Sequence, residues 1–442
     1  MVRGVTYNKM ESSTDKIPGY LPVLRANNIQ VGKLVFSDLV YVPENRISHQ
    51  QLIKAGDVVI AMSSGSKSVV GKAAKAGSDW AGAFGAFCGV LRPDSEIDPR
   101  YFYFFTQSAE YRSRVSELSA GVNINNLKPT HFELIELPIA PRGEQTRIAQ
   151  KLDELLAQVD TLKTRIDAIP ALLKRFRQSV LAAAVSGQLT EEWRVKTTPV
   201  DQLDPSAYRE VPLDSLADFQ NGFAFKSDWF SKTGDIQVAK IGNVRNSKAE
   251  LGNSPAFVSR EIGSEYQRFM TLEGDILLSM TGTKYKRDYG YACSAPAGIL
   301  VNQRVGKLRP QKDKVNSRFL LLCLQSVGFR EQFFSGETGQ VSQGNVGSEH
   351  IKKCLIPSPA IEEQAEIVRR TEQLFAFAEQ VEAKVISAKS RIDHLTQSIL
   401  AKAFRGELVP QDPNDEPASV LLKRIQAQHA ATPKSKRGRK ST

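Results

Sequence analysis

Cysteine and histidine are scarce, at four and five in 442 residues. Cys88, Cys293, Cys323 and Cys354 are far apart and form no CxxC or Cys/His cluster. That spacing argues against a structural zinc site and for four reduced, mostly buried thiols. No apolar run reaches the ~18 residues of a membrane span, and no apolar signal segment follows Met1-Val2-Arg3-Gly4. A cytoplasmic protein without a membrane segment is expected. Catalytic signatures are missing as well. There is no NPPF- or DPPY-type tetrapeptide, and Gly82, Gly85 and Gly89 do not have GxGxxG spacing. The segment from Gly65 to Gly71-Lys72 resembles a phosphate loop only at first sight. Such a loop needs four residues between its glycines and a Ser or Thr after its lysine; here there are five, followed by Ala73. It is better read as a basic, serine-rich loop able to touch nucleic-acid phosphates. The chain is expected to carry no cofactor and no metal, and not to be an enzyme on its own.

What is present is length, positive charge and repetition. A chain of 442 residues exceeds one ordinary core and suits two or more domains. Its 59 Lys and Arg outnumber 48 Asp and Glu, a net charge of +11 that favours polyanionic partners through counterion release. Part of the excess is a terminal tail with Lys434, Lys436, Arg437, Arg439 and Lys440, which adds non-specific affinity at most.

The chain is a duplication. The segment from Glu144-Gln145 aligns without a gap onto that from Glu363-Gln364, an offset of 219 residues. Gln178-Ser179-Val180-Leu181-Ala182 falls on Gln397-Ser398-Ile399-Leu400-Ala401, and Gly187 on Gly406. Upstream, Gly56-Asp57-Val58-Val59-Ile60-Ala61-Met62 matches Gly274-Asp275-Ile276-Leu277-Leu278-Ser279-Met280, and Leu91-Arg92-Pro93 matches Leu308-Arg309-Pro310. Framework positions agree, whereas the polar stretches after Met62 and Met280 diverge. A shared scaffold with different loops suits two units that read different things. The second unit opens with Val211 to Gln220, which has no counterpart in the first because Gly4 already aligns with Gly222. The first unit is therefore expected to lack an opening element.

Each half ends in a long heptad pattern. In the first it comprises Ile148, Leu152, Leu155, Val159, Leu162, Ile166, Ile169, Leu173, Phe176 and Val180. Its copy comprises Ile367, Thr371, Leu374, Ala378, Val381, Val385, Ala388, Ile392, Leu395 and Ile399. The same seam twice in one chain predicts that the two helices pack on each other, and an antiparallel sense would make them a ruler between the units. Pro170 interrupts the first helix, and Gly187 and Gly406 are C-terminal stops.

At these residues the chain resembles the specificity subunit of a type I restriction-modification system, in its type IA branch. The resemblance rests on Glu363 to Arg370, on Gln397 to Leu408 and on Pro410 to Ala418. In the first half it rests on Ile169-Pro170, Leu173 to Gln178, Leu189 to Trp193, Arg25-Ala26-Asn27-Asn28-Ile29, and Ser63 to Lys72. It implies a duplicated α/β (α+β) fold: two globular target recognition domains separated by two long antiparallel coiled-coil helices. The expected boundaries are 1–142 and 211–360 for the recognition domains, 143–190 and 361–408 for the helices, 191–210 for a linker, and 409–442 for a C-terminal extension with a short helix and basic tail. It implies double-stranded DNA as partner, read as a bipartite sequence, and two modification subunits and restriction subunits as further partners. S-adenosylmethionine, ATP and Mg2+ would belong to those subunits, of which the modification subunits methylate adenine at N6. A coiled-coil scaffold without a DNA role and a stand-alone DNA-modifying enzyme are the alternatives.

Base reading needs side chains with two-pronged hydrogen bonding, Arg and Lys for guanine, Asn and Gln for adenine. The candidates in the first unit are Arg25, Asn27, Asn28, Ser64, Lys67, Lys72, Asn123, Asn125 and Asn126. In the second they are Lys240, Asn243, Arg245, Lys284, Lys286, Arg287, Gln303, Arg304, Gln340 and Gln343.

Overall fold

A computed structural model describes residues 1–120, 125–197, 208–246, 248–340 and 342–431. Asn123 and the basic tail lie outside these. The chain divides into two compact units, one of Met1–Asp167 with Ile386–Thr442, the other of Ala168–Val385. Two 44-residue helices, Arg142–Val185 and Ile361–Phe404, each contribute to both.

In the first unit an antiparallel sheet is ordered Val2–Arg3, Cys88–Leu91, Val58–Ala61, Ala73–Lys75. The strand Val58–Ala61 is buried along its whole length, as expected of a β-branched run that has a neighbour on each side. A second sheet runs Val40–Pro43, Tyr20–Leu24, Ala83–Phe84, with the last pair parallel. The second unit repeats both. Ala217–Asn221, Val305–Pro310, Ile276–Ser279 and Ala292–Ser294 form one sheet; Phe257–Val258, Ile236–Ala239 and Leu300–Val301 form the other. Gly4 and Gly222 show why the repeat keeps glycine at the sheet crossing. A Cβ there would lie 2.0 Å from the Gly85 carbonyl oxygen, and 2.1 Å from that of Asn302.

The edges differ. Val2–Arg3 pairs two residues with the neighbouring strand, Ala217–Asn221 pairs five. The second unit also pairs Glu210–Pro212 with Leu355–Pro357, a ladder without a counterpart among the described residues of the first.

Behind each sheet lie two short helices with matching caps. Asp98 and Asn316 each accept from two backbone N–H groups of the helix that follows, and Ser108 and Ser326 cap the next helix. The glutamine that opens each long helix locks it to its domain. Gln145 accepts from the Asp98 N–H (2.9 Å) and donates to the Ala140 carbonyl (2.9 Å); Gln364 accepts from Asn316 N–H (2.7 Å) and donates to Pro359 (2.8 Å).

Within each unit the helices run antiparallel. In the first, Lys163 pairs with Asp393 (3.2 Å) and Asp167 with Lys389 (2.6 Å). In the second, Arg177 grips Glu382 through two nitrogens at 2.6 and 3.1 Å. The end of one helix is anchored where the other begins. Phe404 meets Tyr101 and Phe105 in the first unit, at centroid distances of 5.1 and 5.5 Å; Ala184 joins the core around Ile367 and Phe319 in the second. The first helix is continuous through Pro170, which removes one backbone donor. Gly187 and Gly406 take φ of +79° and +74°, the left-handed conformation that ends a helix.

The heptad positions are not equally covered. Ile148, Val159, Leu173, Ile367, Val385 and Ile392 are buried, and Leu155, Ile166, Phe176, Leu374, Val381 and Ile399 are half-buried. Leu162 and Leu395 are 46% and 47% exposed, against the expectation of a continuous seam. A two-helix pair covers only one side of each helix, and a straight helix drifts ~20° per heptad off a strict 3.5-residue seam. The expected linker also has structure. Glu191–Thr197 is helical, with Arg194 bound to Glu363 on the second long helix. In the C-terminal extension, Ala418–Ala431 is a helix.

Candidate nucleic-acid interface

In the second unit the strand Thr281–Gly282 pairs with Gly344–Val346, which pairs in turn with Glu337–Thr338. The segment Thr283 to Asp288 leaves this small sheet as a closed loop. The Thr283 backbone N–H donates to the Asp288 carboxylate at 2.7 Å and its hydroxyl at 3.1 Å, which holds that carboxyl below its usual range. Arg330 braces the loop from below by donating to the carbonyls of Arg287, Tyr289 and Gly290. Lys284 reaches the Gly339 carbonyl at 2.8 Å. Tyr285 and Arg287 take φ of +70° and +49°, rare and costly for residues with a side chain.

This arrangement gathers most of the second unit's candidates. Lys286, Arg287, Gln303, Arg304, Gln340 and Gln343 are exposed, and Lys284 is half-buried. The Gln343 carboxamide lies 3.2 and 3.3 Å from the two terminal nitrogens of Arg304. Arg287 also lies over the Phe334 ring at 4.9 Å. Arg245 is exposed; Lys240 packs its ammonium over Phe230 at 4.3 Å. A positive surface with planar donors and carboxamides can bind phosphates and read base edges.

In the first unit the equivalent small sheet pairs Ser63–Ser64 with Asn125–Asn126. Arg25, Asn27, Ser63, Tyr7 and Phe87 line an adjoining cleft of about 970 Å³. Lys67, Lys72 and Asn126 are exposed, and Ser64 accepts from the Ser66 N–H.

Three candidates, all asparagines, are buried and turn their amides to the protein's own backbone. Asn28 and Asn243 are 1% and 4% exposed. Asn28 accepts from the Arg25 N–H and donates to the carbonyls of Val35 and Ser37. Asn243 accepts from Lys240 and donates to Glu250 and Asn253. Both spend their amides on a turn, as asparagine often does. Asn125 is 6% exposed and points its amide at the Gly65 carbonyl. Arg25 is held by Asp38 at 2.8 Å, which also takes the Asn27 amide at 2.9 Å.

Phe87, Tyr285 and Asn345 lie on these surfaces without having stood out in the sequence. The repeat does contain the signal for Phe87. With Leu91-Arg92-Pro93 on Leu308-Arg309-Pro310, it occupies the position of Arg304, and it is 70% exposed. Tyr285 is 75% exposed. Asn345 accepts the Thr281 hydroxyl at 2.8 Å.

Residues 5–171 and 205–388 match the model of the type I restriction modification DNA specificity domain. The chain belongs to this family. The specificity subunit of the type I restriction enzyme EcoKI from Escherichia coli K12 is 40% identical over 460 residues, covering 100% of this chain and 96% of that protein. The StySPI specificity subunit from Salmonella potsdam is 40% identical over 453 residues, covering 100% and 95%. The crystal structure of the HsdS subunit from Thermoanaerobacter tengcongensis has the same fold. Its TM-score is 0.58 at 19% identity, over 88% of this chain and 91% of that one. The family's paired domains thus coincide with the duplicated units. Among the described residues there is no group of three or more His, Cys, Asp or Glu that could hold a metal ion, and no helix long and apolar enough to cross a membrane.

Proposed function

We propose that this chain is the DNA sequence-specificity subunit of a type I restriction-modification system. Each unit reads one part of a bipartite target, and the long helices fix the gap between the parts. The observation that carries this reading is the duplication itself. The framework repeats residue by residue down to Gly4 and Gly222, whereas equivalent exposed positions carry different chemistry, Phe87 in one unit and Arg304 in the other. Selection for one fold and two specificities produces that pattern.

In this reading the residues of the loop Thr283–Asp288 and of the facing hairpin contact the second part of the target. Ser63, Phe87 and Asn126, with Lys67 and Lys72 on phosphates, contact the first. The chemistry belongs to other subunits: modification subunits bind S-adenosylmethionine and methylate adenine, and restriction subunits use ATP and Mg2+. The net charge of +11 supplies attraction to the duplex, and the complex acts in the cytoplasm.

The test is to co-express the chain with its modification subunit and select from a randomised duplex pool at moderate salt. A split motif with a fixed gap is the expected product. Sequence-blind retention by a stable complex would refute the reading and favour a scaffold.

A further inference from the structure

We infer that Tyr285 is an aromatic wedge, stacking against a base step in the second part of the target; this rests on the specificity-subunit reading above. Tyr285 sits at the tip of the loop Thr283–Asp288 with 75% of its surface in solvent. An aromatic ring that exposed buries little surface within the fold, yet its backbone stands at φ +70°, a conformation that favours glycine. The loop around it is braced on three sides: Asp288 closes its base onto Thr283, Arg330 holds the Arg287 carbonyl and those of Tyr289 and Gly290 just after the loop, and Lys284 ties it to Gly339. A rigid support under an exposed ring is what insertion needs, because little freedom remains to be lost on binding.

The neighbours specify the ligand. The Lys284 ammonium lies 5.8 Å from the ring centroid, and Lys286 and Arg287 are exposed cations of the same loop. A protein surface offers no dense anionic backbone with flat π-faces inside it; a duplex offers both. Side chains that insert at a base step unstack it and bend the helix, and a stacked aromatic strengthens binding about tenfold to a hundredfold per base. The loop has diverged in the first unit, where Lys67 and serines follow the same strand, so one part of the target only is affected.

The experiment compares wild type, Tyr285→Ala and Tyr285→Phe in the complex with modification subunits. Duplexes carry the selected motif with 2-aminopurine placed in turn at each position of the second part. Wild type and Tyr285→Phe are expected to bind alike and to give a fluorescence change confined to one step. Tyr285→Ala is expected to bind about tenfold more weakly and to lose that change, with unaltered thermal unfolding. The wedge is overturned if Tyr285→Phe binds as weakly as Tyr285→Ala, which assigns a phosphate contact to the hydroxyl. It is equally overturned if Tyr285→Ala binds like wild type, or loses its modification subunits rather than its DNA. If the wild-type complex selects no sequence at all, the specificity-subunit reading itself fails.

Discussion

Glu363 and Glu144 occupy the same position in the repeat and should respond oppositely to loss of their charge. The Glu363 side chain is 4% exposed. It accepts the Thr190 hydroxyl at 2.6 Å and the Arg194 guanidinium at 2.6 and 3.0 Å, which ties the helix Glu191–Thr197 to the second long helix. Removing one member of a buried pair costs about 3–5 kcal/mol. Arg194 keeps 22% of its side chain in solvent, so Glu363→Ala falls near the lower end, about 3 kcal/mol. For a unit the size of Ala168–Val385 this lowers the unfolding temperature by roughly 6–12 °C. Glu144 is 5% exposed and takes part in none of the ion pairs among the described residues; Arg147 is engaged by Asp415. Burial pushes its carboxyl above the usual range, against partial relief from Arg147. A carboxyl whose folded pKa is raised favours folding when protonated, and that contribution is lost as pH rises through the folded value. At pH 8 Glu144→Gln should therefore leave the unfolding temperature unchanged or raise it, and the advantage should shrink in mild acid. Scanning calorimetry of both variants decides. A shift below 2 °C for Glu363→Ala, or equal losses in both variants, would refute the reasoning.

Other expectations follow from the same geometry. Lys284→Ala with Arg287→Ala should relax selection in the second part of the motif while the first part stays as selected; equal weakening on unrelated sequences, read from binding isotherms, would reduce both residues to phosphate contacts. Inserting one heptad into each long helix adds about 10.5 Å and should lengthen the preferred gap by about three base pairs, scored by selection with the lengthened chain. Burial raises the Cys88 and Cys293 thiols to about 12 and Cys354 to about 11. The native chain should therefore resist thiol reagents at pH 8 and expose all four thiols only on unfolding, counted by absorbance.

The duplication, both long helices and their stops were legible because each depends on a residue that the backbone demands. Gly4 and Gly222 admit no side chain beside a facing carbonyl, and Gly187 and Gly406 take a left-handed φ. The recognition surface was legible as loops, less so as residues. Asn28 and Asn243 have the chemistry of adenine readers, but that same chemistry lets them cap their own turns, and only the fold shows which use applies. Their repetition at equivalent places was itself a structural sign, since readers of different sequences should diverge. Phe87 and Tyr285 carry no two-pronged hydrogen-bonding group, so residue type alone does not mark them as base contacts. Leu162 and Leu395 obeyed the heptad pattern yet lie exposed, because periodicity identifies a face without telling what covers it.

The most direct test is to map adenine methylation across the genome of cells that express this chain with its modification subunit, against cells that express the modification subunit alone. The account predicts that every methylation gained with this chain falls in one bipartite motif with a single fixed gap. Methylation that is unchanged without the chain, or that follows one contiguous motif, would contradict it.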